Sequence, residues 1–365
     1  MADPPSQVKH FRNGNFQRDQ GTLAPGAPSF AALARNILEP IMQSFTCPAC
    51  DSRVYFENLF CACGAALFYD PEARAMLNEA DPCANRDAIQ CNWVAIPGET
   101  LCRSCCMSDV VPALHIGDNQ QLLERAERAK RWVLANLSNW QWFTDADGGM
   151  RPRFQMLSEN TGAGRAEQIM MGHDNGEIVI NVTEADELIR VKRQQELGEQ
   201  YRSMVGHFRH ELAHFLFDRL TAAPGFQDEF RALFGDESAD YAAALQEHYN
   251  NPKDPGEDFI TAYATSHPHE DWAETVAHLL HMVDFTDSFV SAGLMMKGIP
   301  ANYQPYAETD ADHLLTIAAE VAIAINDINR ALDNSDLYPF ILTPKIREKI
   351  KFAHGWISQH GARGA

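Results

Sequence analysis

The stretch "GHFRHELAHFLFDRL", residues 206–220, carries His210-Glu211-Leu212-Ala213-His214. On an α-helix, positions four apart lie one turn apart on the same face. His210 and His214 could therefore offer two imidazole nitrogens to one metal ion. Glu211 stands about 100° further round, close enough to lean over an open coordination position and take a proton from a water there. Zinc suits such a set, because it accepts nitrogen and oxygen donors and its catalytic sites keep a place for water. The plainer reading is two core histidines that share a helix. Leu212, Phe215, Leu216 and Phe217 would bury that helix, and burying Glu211 and two imidazoles without partners is costly. A metal removes that objection.

A third protein ligand is needed. The pattern H-E-x-x-H-x-x-G-x-x-H fails, since Phe217 stands at the Gly position and Leu220 at the last His. The dense candidate further on is "TAYATSHPHEDWAETVAHLLHM", residues 261–282. Within it Glu270 and Glu274 share a helix face, with His278 another turn along. One carboxylate can bind a metal while the next hydrogen-bonds a ligating histidine. Alternatively the three form a polar stripe on a surface helix; Trp272, Val276, Leu279 and Leu280 on the other side fit either case. His207 shares the face of His210 and is expected to play a structural or supporting role. Asp218, one turn after His214, could orient that histidine or merely solvate the helix end.

An H-E-x-x-H followed some tens of residues later by E-x-x-A-E resembles the gluzincin pattern of lethal-factor-type metallopeptidases. The resemblance implies that Glu270 is the third zinc ligand and Glu274 its hydrogen-bonding companion. It also puts Tyr263 where that group's transition-state tyrosine falls. A hydroxyl there could donate to the oxyanion of a tetrahedral intermediate, although ordinary packing would also explain the residue. His267 and His269 are further candidates for the same polarising task.

Nine cysteines lie between residues 47 and 106, and none elsewhere. In a chain without an apolar signal core, clustered pairs read as metal sites rather than disulfides. Cys47 and Cys50 in "CPAC" have knuckle spacing, and Cys61 and Cys63 in "CACG" should complete a four-cysteine zinc ribbon. The second knuckle is C-x-C instead of C-x-x-C, so either both of its cysteines bind with altered geometry or one is idle. Cys83, Cys91, Cys102 and Cys105 make a second set, with Cys106 left over. Two structural zinc ions and one catalytic ion are thus expected.

These residues must be positioned by the rest of the chain. Residues 1–38 read as a flexible leader, 39–115 as a double four-cysteine zinc-ribbon module, 116–356 as the body that holds the histidines, and 357–365 as a tail. In "NQQLLERAERAKRWVLANLSNW" the residues Leu122, Leu123, Ala126, Ala129, Trp132, Val133 and Leu137 fall near one face of an amphipathic helix. "IMMGHDNGEIVINV" has two apolar runs around Asn175-Gly176, a hairpin signal. The strand Glu177–Val182 would then offer an edge to an extended peptide. "TEAD", residues 183–186, resembles a capping box that opens a helix. Helical pattern continues, broken near Gly198 and Gly206, to Leu220, and recurs around residues 270–284 and 311–333. The fold class is α+β, mostly helical, with a small β hairpin or sheet.

The net charge of −20 opposes binding to nucleic acid or anionic membranes. Zinc ribbons can touch nucleic acid, but between Cys47 and Cys106 four basic residues face eight acidic ones, a net of 4 − 8 = −4. No apolar run is long enough for a membrane span, and a cytoplasmic location follows by default. Taken in order, "CANRD", "CNW", "CRSC", "EADE", "YRSMVGHFRHELAH", "FRALFGDESADYAAAL", "SHPHEDWAE" and "LYPF" resemble a bacterial family of zinc-binding metallopeptidases with an N-terminal zinc-ribbon domain. The resemblance implies a zincin-like metallopeptidase domain that hydrolyses a peptide or protein substrate, with Glu211 as general base. The competing expectations are a zinc-binding interaction scaffold with an inactive site and, against the charge count, a nucleic-acid-binding zinc protein.

Overall fold

A computed structural model describes residues 44–161, 164–165, 168–197, 203–338 and 340–361. The leader expected at 1–38 lies outside them, as do residues 362–365 of the expected tail. The described residues all fall within one compact unit.

The cysteine-rich part is built from short pieces: β1 (Ser44–Thr46) pairs with β2 (Arg53–Tyr55), and β3 (Phe68–Asp70) with β4 (Ala75–Leu77), both antiparallel. The single-turn helix α1 (Arg86–Ile89) and strand β5 (Ser108–Val110) follow. Such short strands carry little stability of their own. An aromatic stack holds them instead, with Tyr69 5.7 Å from Phe45, 4.8 Å from Phe56 and 5.5 Å from Trp93 between ring centres. That stack continues into the body, because Trp132 of α2 (Asn119–Ser138) meets Phe56 edge-on at 5.1 Å. The apolar face read from the α2 sequence is buried as its period requires, with Trp132 half-buried at its margin. Its polar side is partly buried too: Lys130 and Glu127 pair at 2.8 Å and share Ser108 of β5.

β5 pairs in parallel with β6 (Arg153–Leu157), which belongs to the body. After the two-residue pair β7 (Asn160–Thr161) and β8 (Gly164–Arg165), the chain forms the hairpin β9 (Gly172–Asp174) and β10 (Glu177–Asn181). Asn175 and Gly176 both have positive φ, 49° and 84°, as a two-residue hairpin turn of this twist demands. The sheet order is β5-β6-β10-β9. The expected edge at Glu177–Val182 is therefore corrected: β10 is an interior strand paired on both sides, and among the described residues the outer strands are β5 and β9.

The capping box expected at residues 183–186 does not form. The Thr183 hydroxyl oxygen is engaged by the Glu159 N–H at 2.9 Å. Asn181 caps a 3-10 turn at Val182–Ala185, and Asp186 accepts from the Ile189 N–H at the start of α3 (Glu187–Leu197). α4 (Met204–Leu220) carries the HELAH residues; Ser203 caps it by accepting from Gly206 N–H, so Gly206 lies within its first turn and causes no break. α5 (Phe226–Phe234) sits between the left-handed Gly225 and Gly235, whose φ is also positive, and α6 (Tyr241–Asn250) is capped by Asp240. α7 (Pro268–Ser291), α8 (Ala311–Ala331) and α9 (Pro344–His360) complete the body, with Pro at the first turn of α7 and α9. α9 runs past the boundary drawn at 356, and Ile357 is wholly buried, its carbonyl accepting from Trp142. Among the described residues, no helix is long and apolar enough to cross a membrane.

α4 and α7 are the helices that matter for the histidines. Leu212, Phe215 and Leu216 on α4 are fully buried, each contributing about 1.5–3 kcal/mol of apolar transfer. Trp272 on α7 donates its indole N–H to the Ala213 carbonyl at 2.8 Å, which pins the two helices together in the middle of the HELAH run. Phe217, Phe226, Phe230, Phe234 and Trp272 cluster below with ring centres about 5–6 Å apart. On the flanks, buried Arg209 pairs with Asp284 and meets His281 at 2.9 Å. Arg219 makes a two-pronged bond to Asp147, both contacts at 2.8 Å. Gly149 is required beside it, since a Cβ there would come within 2.0 Å of the guanidinium.

The Arg219–Asp147 pair is buried on both sides. Replacing Arg219 with methionine removes both of its bonds to the carboxylate and leaves it only the Phe143 and Gly149 N–H groups and Arg151 at 3.5 Å; this is expected to lower the unfolding free energy by about 3 kcal/mol, measured by urea denaturation of the metal-loaded chain at neutral pH. Burial alone would raise the Asp147 pKa, but the Arg219 guanidinium and the Phe143 and Gly149 N–H groups hold it below the usual range. Its stabilisation is thus full at neutral pH and is lost as pH falls through the acid range towards that lowered value. The variant should be correspondingly less sensitive to acid there.

Candidate metal centre

One turn of α4 brings the two imidazoles together, with His210 Nε2 and His214 Nε2 3.2 Å apart. The first turn of α7 supplies Glu270, whose Oε2 lies 3.0 Å from His210 Nε2 and 3.5 Å from His214 Nε2. For zinc bonds of about 2.0–2.1 Å, the edges of a tetrahedron are roughly 3.3–3.4 Å. The three donors straddle that length, so the residues present fit a zinc ion with one face left open.

The donors are held from behind. His210 Nδ1 faces Glu274 Oε1 at 2.8 Å, and Glu274 Oε2 accepts from the Thr261 hydroxyl at 2.8 Å. Glu270 Oε1 accepts from the Tyr241 hydroxyl at 2.5 Å. Such partners fix ring orientation and raise ligand basicity. Burial by itself would lower the His210 pKa and raise that of Glu270. Glu270 and Glu274 reverse the first effect, and His214 together with His210 the second, leaving His210 well above and Glu270 well below their ordinary values. In the absence of metal the imidazolium is therefore favoured, and protons compete with a metal for this place.

Glu211 is 6% exposed, its Oε2 has no hydrogen-bond partner among the described residues, and burial raises its pKa. It lines a cavity of about 330 Å³ together with His210, His214, Glu270, Tyr263 and Tyr241. The Tyr263 ring centre is 6.0 Å from that of His210, and burial followed by the Glu270 charge raises its hydroxyl pKa. Phe217, at the position of the absent glycine, instead packs against His269 at 4.6 Å.

Of the expected residues, His267 stands elsewhere, while Asp218 lines the cavity. His267 is not on the cavity: it is buried as the N-cap of α7, accepting from the His269 N–H on Nδ1 while its Nε2 reaches the Ala239 carbonyl at 3.1 Å. With both nitrogens occupied it cannot polarise a substrate. Asp218 faces His173 Nε2 at 3.7 Å, and His207 pairs with Glu184 at 3.1 Å, a structural contact. His278 meets the Tyr338 hydroxyl at 2.9 Å inside the core, so no surface stripe exists. Tyr241 and His173 were not anticipated. His173 stacks on His214 at 6.5 Å with the planes 4° apart. Neither has a spacing signal, since each reaches the site from a separate part of the fold.

The cysteines gather into the two expected sets, Cys47/Cys50/Cys61/Cys63 and Cys83/Cys91/Cys102/Cys105. Sulfur separations of 3.9 Å (Cys47–Cys63), 3.6 Å (Cys50–Cys61), 3.6 Å (Cys91–Cys102) and 3.9 Å (Cys91–Cys105) bracket the roughly 3.8 Å edge of a tetrahedron with 2.3 Å Zn–S bonds. The C-x-C knuckle thus brings both its cysteines to the set, helped by a turn at Gly64, whose N–H bonds to the Cys61 carbonyl at 2.9 Å. Cys106 lies exposed outside both. Buried Arg131 of α2 stands near the second set: burial would lower its pKa, but the charges of Cys91, Glu127 and the other thiolates hold it up.

Elemental analysis of the purified chain is expected to find about one zinc for each of the three donor groups. The His210→Ala/His214→Ala variant should lose one zinc and keep the cysteine-bound pair; a wild type with only the pair would remove the histidine centre. Tyr241→Phe should retain all three sites but weaken the histidine one about tenfold in competition with a zinc chelator.

Residues 119–356 match a family model described as "Putative zinc-binding metallo-peptidase", and residues 44–81 match a zinc-ribbon domain. The second cysteine set falls between the two matched ranges. An uncharacterized protein of Mycobacterium bovis and two of Mycobacterium tuberculosis strains are each 34% identical to the chain over 330 residues, covering 86% of it and 94% of the relative. No solved structure matches the chain. The chain belongs to the "Putative zinc-binding metallo-peptidase" family, with a zinc-ribbon domain ahead of the region that defines it.

Proposed function

We propose that the chain is a zinc-dependent endopeptidase, with His210, His214 and Glu270 as ligands of the catalytic ion and Glu211 as general base. The observation that carries this reading is the Glu211 carboxylate. It is buried, has an unpartnered oxygen and stands beside three converging donors on an open cavity. A structural metal site has no use for such a group, whose burial is unfavourable unless a ligand completes it.

Zinc held at these residues supplies Lewis acidity, acidifying a bound water and polarising a carbonyl oxygen. The chain supplies the rest. Burial raises the Glu211 pKa, which suits the carboxylate to accept a proton from the attacking water and hand it to the leaving amine nitrogen. The Tyr263 hydroxyl, its pKa raised, stays protonated and can donate to the oxygen on which negative charge develops. Glu274 and Tyr241 keep His210 and Glu270 oriented. An extended peptide can lie along the free edge of β9, whose Gly172, His173 and Asp174 line the same cavity.

The test is a low-background protease screen of the wild type beside Glu211→Gln. The variant should keep its zinc and lose at least about a hundredfold in turnover. Equal behaviour of the two on every substrate would instead make the chain a zinc-binding interaction scaffold.

A further inference from the structure

Among the described residues, the cavity beside Glu211 is lined by four carboxylates, Asp174, Glu211, Asp218 and Glu270, and by no lysine or arginine. A divalent ion on the histidines would offset two of these charges, leaving 4 − 2 = 2 negative charges. Glu270 is a donor of the metal set and Glu211 is buried against it, so the surplus rests on Asp174 and Asp218. Neither has a cationic partner among the described residues. Asp174 Oδ1 accepts from the neutral Asn175 amide at 2.8 Å. Asp218 has His173 Nε2 at 3.7 Å, but that nitrogen accepts the Gly176 N–H at 3.1 Å and so carries a lone pair, not a proton. Both acids are open to solvent, Asp218 with 46% of its side chain exposed. They share the cavity with the unpartnered, nine-tenths-buried Glu211 oxygen, which independently marks it as a place that receives a ligand.

The surplus is also one-sided. Asp218 is one helical turn beyond His214, on the side where His173 stacks on that ring. Tyr263 lies against His210. One turn of helix spans about 5.4 Å and one residue of extended peptide about 3.3 Å. Asp218 is 218 − 211 = 7 positions beyond Glu211 on the same helix, about 10.5 Å along its axis, so a group meeting Asp218 is roughly three residues from a bond held over Glu211. Resting on the peptidase reading above, we infer that the site selects peptides with a lysine or arginine roughly three residues from the bond presented to Glu211, with Asp174 and Asp218 receiving the cation. The net charge of −20 acts in the same sense over longer range, drawing cationic peptides towards the molecule and repelling acidic ones.

The test uses the full-length, zinc-loaded Glu211→Gln protein and fluorescent peptides that differ at one position, carrying lysine, norleucine or glutamate. Anisotropy titration should show the lysine peptide binding about tenfold tighter than the norleucine peptide and the glutamate peptide weakest, with the spread shrinking as salt is added. Adding Asp174→Asn and Asp218→Asn should collapse the lysine preference. Adding Asp218→Lys instead should favour glutamate, a reversal that a loss of folding cannot produce. Absent or equal binding of the lysine and norleucine peptides, or a preference that survives both Asn substitutions, overturns the inference. The two readings fail separately: cleavage by the wild type without a lysine preference sinks the acidic subsite alone. Selective binding without cleavage by the wild type sinks the peptidase alone.

Discussion

Glu270 puts a carboxylate where almost no water reaches, and everything near it is arranged so that the charge is tolerable. One oxygen takes the Tyr241 hydroxyl and the other faces two imidazoles. An isolated buried carboxylate would protonate instead. Held in this way it stays ionised beside His210, and a divalent ion can take the place of the proton that the imidazole otherwise carries. That demand sets the relative placement of α4 and α7, which brings Glu270 to 3.0 and 3.5 Å from the two imidazoles. The Trp272–Ala213 bond, the aromatic cluster under Phe217 and the Arg209–Asp284 pair meet it from three sides.

The donor set could be read in the sequence because it depends on local geometry. Residues four apart on a helix must share a face, so His210 with His214 and Glu270 with Glu274 were visible as pairs before any fold was known. Cysteine knuckles and the Asn175-Gly176 turn are local in the same sense. Resemblance to known metallopeptidases joined the two pairs; spacing alone left open whether Glu270 or Glu274 would face the imidazoles.

What escaped was set by contacts between distant segments. Tyr241 is 29 residues from the carboxylate it holds, and no period connects them. Strand order is equally non-local: an alternating run such as Glu177–Asn181 looks the same at an edge as in the interior, and only pairing with β6 decides. His267 seemed a plausible polarising group by nearness in sequence to Glu270, yet the residue just before a helix is drawn to its free N–H groups. Thr183 was lost as a cap for the reverse reason, its oxygen being taken by a strand end 24 residues away. The helices α5 and α6 are only 9 and 10 residues long, and depend on the aromatic cluster and caps rather than on a long amphipathic repeat.

The joint between the cysteine-rich part and the helical body has a mechanical consequence. β5 is a strand of the body's own sheet, Phe56 rests on Trp132, and Trp132 in turn donates to the Asp284 that pairs with Arg209 behind the histidine helix. A flap that opens and shuts over a cleft needs a hinge with few packed contacts. Here the connection is packed core, so the cysteine-rich part behaves as a keel: it stiffens the helix that carries His210 and His214 and moves only when the whole body does.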